Sequence, residues 1–265
     1  MQSITLNNKK IGFSVQGKSA IPIILLHGFC EDSRMWDDFL TLFPRRKIVR
    51  IDLPGFGQTA LQNEHTIEAM ADCVKAVIDH LRIEKCVMIG HSMGGYTCLE
   101  FARKHGEYLA GLGMFHSHPY QDSEEKKEGR RKSIEFIRRN GHIHYVKQVI
   151  PAMFAFDFSK GYQFEVNKLL YNAVQNSPEG IIAGLEAMMG RADNSAVLEQ
   201  IQCPVLFIIG KQDSAISLED SLNQTTLPMI ADIQILPSVG HMGMFEAKRK
   251  TVKMVKNFLA DIVNA

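Results

Sequence analysis

Six apolar runs in this chain show almost no alternation: Ile23–Leu26, Ile48–Ile51, Cys86–Ile89, Leu109–Phe115, Val205–Ile209 and Ile233–Leu236. A strand wetted on one face alternates apolar and polar residues, whereas a strand covered on both faces need not. The runs therefore read as buried strands of a parallel sheet. Helical patterns fill the gaps between them. Ile67, Met70, Ala71, Val74, Val77, Ile78 and Leu81 share one helix face behind a capping Thr66, and Val252, Val255, Phe258, Leu259 and Ile262 form a C-terminal stripe. Ahead of the first run, Ile4 and Leu6, then Ile11, Phe13 and Val15, alternate as an antiparallel hairpin does. The expected fold is α/β, a mostly parallel doubly wound sheet entered through an N-terminal hairpin.

The rhythm breaks after Phe115. From His116 to Asn194 no strand run occurs, and helical patterns follow one another up to Met189. This reads as a helical insertion, so residues 1–115 and 195–265 form the core domain and 116–194 a cap. The charge-dense stretch Asp122–Arg139 keeps Ile134, Phe136 and Ile137 at helical spacing, and its charges are expected on a solvated face.

With 30 Lys+Arg against 29 Asp+Glu, the chain lacks the basic field that nucleic-acid binders use on phosphates. Its five cysteines are scattered and form no CxxC pair, which suits free thiols in a reducing compartment. No apolar stretch is long enough to span a bilayer, and no signal-peptide pattern opens the chain. A cytoplasmic protein without a membrane span is expected.

Gly90-His91-Ser92-Met93-Gly94 fits G-x-S-x-G, directly after the run Cys86–Ile89 and before a helical pattern over Tyr96–His105. That strand–turn–helix setting is what a nucleophile elbow requires. The turn is strained, so residues two positions either side of the serine must be small. Ser92 would then sit at a helix N-terminus, where free N–H groups favour a developing oxyanion. A serine hydroxyl needs a base, and the base needs an orienting acid. Asp213 follows the run Val205–Ile209 and His241 follows Ile233–Leu236, in the chain order Ser, Asp, His. No carboxylate opens the loop after Leu109–Phe115, which begins His116-Ser-His-Pro119, so the acid is placed at Asp213.

Taken with His27-Gly28-Phe29 and Trp36 downstream, Asp52-Leu-Pro-Gly-Phe-Gly57, Gly90–Gly95, Cys203–Asp213 and Gly240-His241, these pieces resemble the α/β-hydrolase fold family with a helical cap over essentially the whole chain. The resemblance implies an oxyanion hole from the Phe29 and Met93 backbone N–H groups. Dehalogenases and epoxide hydrolases of the fold carry Asp at the elbow, and Ser92 argues against them. Around Ala183–Asp193 and the Asp213 strand the resemblance leans towards the lactonase-like group.

Other motifs carry less. Gly12–Ser19 fits a phosphate-loop expression, but its interior alternates like a strand and Ser19 leads into another strand rather than a helix. Gly55–Ala60 fits a dinucleotide fingerprint, yet the next helix begins only at Thr66, too late to meet a pyrophosphate. The pairs His116-x-His118 and His142-x-His144 lack further ligands of metal spacing. Five aromatics crowd Met153–Phe164, either packing the insertion onto the core or forming an apolar wall over Ser92.

The expectation is a serine hydrolase of a small-to-medium ester, thioester or lactone, working through an acyl-enzyme. Ser92 is the nucleophile, His241 the base and Asp213 the acid, with no cofactor or metal. The substrate pocket is expected to draw on His27, Gly28, His91, His116, His118, Phe154, Phe156 and Met242. The alternatives are a C–C bond hydrolase of a dienoate or diketone and a ligand receptor with little turnover. The expected partner is a small molecule, and the chain a monomer or homodimer.

Overall fold

The computed structural model describes residues 1–44 and 46–264. Eight strands form one sheet: β1 (Gln2–Leu6), β2 (Lys9–Gln16), β3 (Ile23–Leu26), β4 (Ile48–Ile51), β5 (Cys86–His91), β6 (Leu109–Phe115), β7 (Val205–Gly210) and β8 (Ala231–Leu236). Their order is β1-β2-β4-β3-β5-β6-β7-β8. The hairpin β1–β2 and the β2–β4 pair are antiparallel, and every pair from β4 to β8 is parallel. The helices are α1 (Asp37–Leu40), α2 (Ile67–His80), α3 (Met93–His105), α4 (Glu124–Asn140), α5 (His142–Met153), α6 (Phe156–Gly161), α7 (Gln163–Ala173), α8 (Pro178–Gly190), α9 (Ser195–Gln200), α10 (Leu218–Asn223), α11 (Gly243–Glu246) and α12 (Lys248–Asn264).

Local chemistry explains the boundaries. The Thr66 hydroxyl accepts from the Ala69 N–H and starts α2, Ser123 does the same for α4, and Ser177 with Pro178 starts α8. Gly141, at φ +84°, ends α4. Strands β3, β5 and β7 are buried along their whole length, as uninterrupted apolar runs require. Strand β8 departs from that expectation. It has one neighbour, β7, and Ile233 and Ile235 are exposed, so its apolar run does not mean burial on both faces.

Helices α4 to α8 lie between β6 and β7. Ile134 and Ile137 of α4 are buried as expected, but its charges are not all solvated. Arg130 turns inward onto the buried Asp122, which Arg191 also holds at 2.7 Å. This helical stretch meets the strand side closely: Gly180 abuts Gly55, and Gly184 leaves room for Phe56 and Phe29. Gly17 (φ +67°) turns β2 towards β3, so the Gly12–Ser19 expression is a hairpin strand and turn. All five cysteines are free.

Candidate active site

The end of β5 delivers Ser92 with φ +50° and ψ −114°, a backbone that L residues rarely adopt. Gly90 and Gly94 make that turn possible, because a Cβ on Gly90 would strike the Gly94 carbonyl and one on Gly94 would stand 2.7 Å from the Leu26 and His27 carbonyl oxygens. Ser92 immediately precedes α3, and its own carbonyl accepts from the Gly95 and Tyr96 N–H groups and from the Ser117 hydroxyl. Among the described residues, neither the Phe29 nor the Met93 backbone N–H donates to a protein acceptor. They are the two donors expected for an oxyanion.

Asp213 and His241, both beyond the C-terminal ends of their strands, meet: His241 Nδ1 donates to Asp213 Oδ2 at 2.7 Å. The other carboxylate oxygen accepts from the Ala215 and Ile216 N–H groups. Burial alone would raise the Asp213 pKa, but the His241 charge and hydrogen bond, helped by His116 and Ile216, hold it at about 2. For His241, burial pulls the pKa down, and Asp213, Glu31 and Glu246 together carry it above the ordinary imidazole value. The His241 loop is tied to the elbow, since His91 Nε2 donates to the His241 carbonyl at 2.9 Å and the two rings lie 4.8 Å apart.

Two carboxylates that sequence reasoning missed frame the site. Glu31 Oε2 accepts from the Gly28 N–H at 2.8 Å and faces His91 Nδ1 at 3.1 Å, joining the loop after β3 to the elbow. Glu246 accepts from the Gly240, Met242 and Ala155 N–H groups, so it brackets His241 and fastens the end of α5 to the same loop. Burial raises its pKa against those three donors. Nothing in spacing distinguishes either residue from an ordinary surface glutamate.

Several residues expected at the pocket have other employment. His27 is buried, with Nδ1 on the Gly28 carbonyl and Nε2 accepting from the Leu53 N–H, so neither nitrogen is free for a substrate. Gly28 gives the His91 ring its space, and both His91 nitrogens are engaged. Met242 is fully buried. His116 lies against Asp213 and Gly243. His118 is buried beside Tyr96 and Arg191 at a cavity of about 160 Å³, and burial with the nearby Arg191 and Lys126 lowers its pKa to about 3. Phe154, Phe158 and Tyr162 stack in series, and Phe154 also meets Phe245. Phe156 is 68 % exposed under Lys160, because α6 turns it outward, and it joins no wall over Ser92.

Comparison with known proteins agrees with the fold. Residues 21–114 match the family model described as alpha/beta hydrolase fold. The chain is similar to a thermophilic esterase from Thermogutta terrifontis, with a TM-score of 0.92, 27 % identity and 99 % of each chain covered. It is also similar in fold to the enol-lactonase from Burkholderia xenovorans LB400, with a TM-score of 0.90, 22 % identity, 98 % of this chain covered and 100 % of that one. In sequence it is 25 % identical to 2-succinyl-6-hydroxy-2,4-cyclohexadiene-1-carboxylate synthase of Enterobacter sp. (strain 638), covering 93 % of both. The chain has the α/β-hydrolase fold, and the proteins it resembles along nearly its whole length are hydrolases. Among the described residues, no helix is long and apolar enough to cross a membrane.

Proposed function

We propose that the protein is a serine hydrolase that cleaves a small-to-medium carboxylic ester, thioester or lactone through an acyl-enzyme. The observation that carries this reading is the His91–His241 hydrogen bond of 2.9 Å. It joins the residue before Ser92 to the main-chain carbonyl of His241, whose ring Nδ1 engages Asp213. Ser92 Oγ attacks the acyl carbon while His241 Nε2 takes its proton. Asp213 fixes the tautomer with Nδ1 protonated and stabilises the imidazolium. The Phe29 and Met93 N–H groups receive the oxyanion, a type of contribution worth about 3–4 kcal/mol per donor in turnover. His241 then returns its proton to the leaving group and activates the water that releases the acid.

The helices of residues 116–194 act as a cap. Gly184 beside Phe29 and the His241 N–H bond to Met153 (2.8 Å) support this, since both contacts join the cap to catalytic loops. The 27 % identity with an esterase supports the ester class. A panel of p-nitrophenyl esters, acyl thioesters and lactones tests the reading. Turnover on at least one class, absent in Ser92→Ala, is expected. Cleavage of dienoate or diketone C–C bonds alone would replace it.

A further inference from the structure

His116 ends β6 at φ +48°, in the left-handed region that few non-glycine residues hold without compensation. Its ring is buried, and two glycines make room for it. A Cβ on Gly243 would stand 2.5 Å from Nε2 and one on Gly210 3.1 Å from Cε1. Nε2 accepts from the Gly243 N–H at 3.2 Å. An imidazole nitrogen that accepts carries no proton, so the hydrogen of the neutral ring is on Nδ1. Nδ1 has no hydrogen-bond partner and faces Asp213 Oδ2 at 3.6 Å. The rings of Phe115, His241 and His91 lie 5.3, 5.9 and 6.3 Å from that of His116.

We propose that His116 is a positioning residue for the Asp213–His241 pair, a role that rests on the serine-hydrolase reading above. Its Nδ1 faces, at 3.6 Å, the carboxylate oxygen that His241 uses, and its Nε2 anchors Gly243, two residues beyond His241. One ring thus restrains the acid from behind and the base from its own loop. A separation of 3.6 Å exceeds a hydrogen bond. Contacts of this kind are often long before substrate binds and tighten in the loaded enzyme. Burial, the largest influence, keeps the ring neutral with a pKa of about 3, so it serves as an N–H dipole without adding a charge beside His241. The strain at φ +48° is accounted for by this placement, because it turns the ring from the strand end back towards β7 and α11.

The test compares His116→Leu with His116→Asn, measuring kcat and KM on the best ester of the panel. Asparagine tolerates positive φ and places an amide N–H near the position of Nδ1. The Leu variant is expected to lose about tenfold in kcat, by analogy with the lower cost of removing partners that orient metal ligands. Its KM should stay within twofold, and Asn should recover most of the loss. Wild-type kcat in His116→Leu, or Asn as impaired as Leu, would overturn the role. Should the Leu variant not fold, ¹⁵N-histidine NMR of the wild type decides. A neutral, Nδ1-protonated His116 from pH 5 to 8 is expected, and an Nε2-protonated or charged ring would overturn the proposal. Ser92→Ala, run in parallel, separates the two readings. If it keeps full turnover, the serine mechanism fails whatever His116 does.

Discussion

Glu31 Oε2 and His91 Nδ1 meet at 3.1 Å between two loops that the chain separates by 60 residues. The same oxygen holds the Gly28 N–H, so one carboxylate sets both the Phe29 backbone and the residue before Ser92. Glu31→Gln keeps the shape but exchanges an acceptor for a donor at one of its two positions. Turnover should fall about tenfold or more, by analogy with partners that orient metal ligands. Stability should drop by about 1–3 kcal/mol, the cost of a mispaired buried polar group. Urea unfolding and kcat measured together check this.

Asp213→Asn replaces the acceptor on His241 Nδ1 with an amide that favours the wrong tautomer. A loss on the order of 10³–10⁴ in kcat is expected with the fold intact, judged from triads of this kind. Near-full activity would place the acid elsewhere. In the proposed mechanism the base must be neutral to act, and His241 sits above the ordinary imidazole value. The acid limb of kcat/KM should therefore lie above about pH 6.5, with activity rising through it.

Folding stability should respond to acid through two other histidines. His116 and His118 are held near 3, chiefly by burial, whereas the unfolded chain protonates them near 6.5. Their neutral burial costs nothing above that pH, and stability is lost as pH falls from about 6.5 towards 3. His241 works the other way: its raised value adds stability below about 6.5 that is lost as pH rises through its folded pKa. Asp213, held near 2, loses its contribution only below about pH 4. Unfolding between pH 6 and 4 should thus take up about two extra protons, on the order of 2–3 kcal/mol per pH unit. Urea midpoints at pH 7, 6 and 5 measure it, and His118→Gln should roughly halve the slope.

Gly180 abuts Gly55, where an added Cβ would run into the Gly55 carbonyl oxygen. Gly180→Ala should therefore push α8 off the loop after β4. A cost of about 1–3 kcal/mol is expected, as for other overpacked contacts. A shift in KM across acyl-chain lengths, larger than that in kcat, would link the displacement to the pocket.

The strands and the pair Asp213–His241 were legible because apolar runs mark strand ends, even for β8, whose run is partly exposed, and the order of residues past them follows the topology. Ser92 was legible for the same reason, with Gly90 and Gly94 recording the strain of the turn. His116 was visible as a residue at a strand end, but its φ of +48° sends the ring behind Asp213 rather than into a pocket, and nothing in the letters encodes that angle. Glu31 and Glu246 escaped notice because their partners are backbone N–H groups, which leave no mark on a sequence. The aromatics of Met153–Phe164 divide, with Phe156 of α6 and Phe164 of α7 exposed and Phe154, just past α5, buried, a split that their spacing alone does not dictate.

The central claim is an activated serine at position 92. Pure protein treated with a small fluorophosphonate and weighed intact tests it without any choice of substrate. The account predicts one adduct on the wild type and none on Ser92→Ala. An unmodified wild type, folded by circular dichroism, or an adduct that persists in Ser92→Ala, would contradict it.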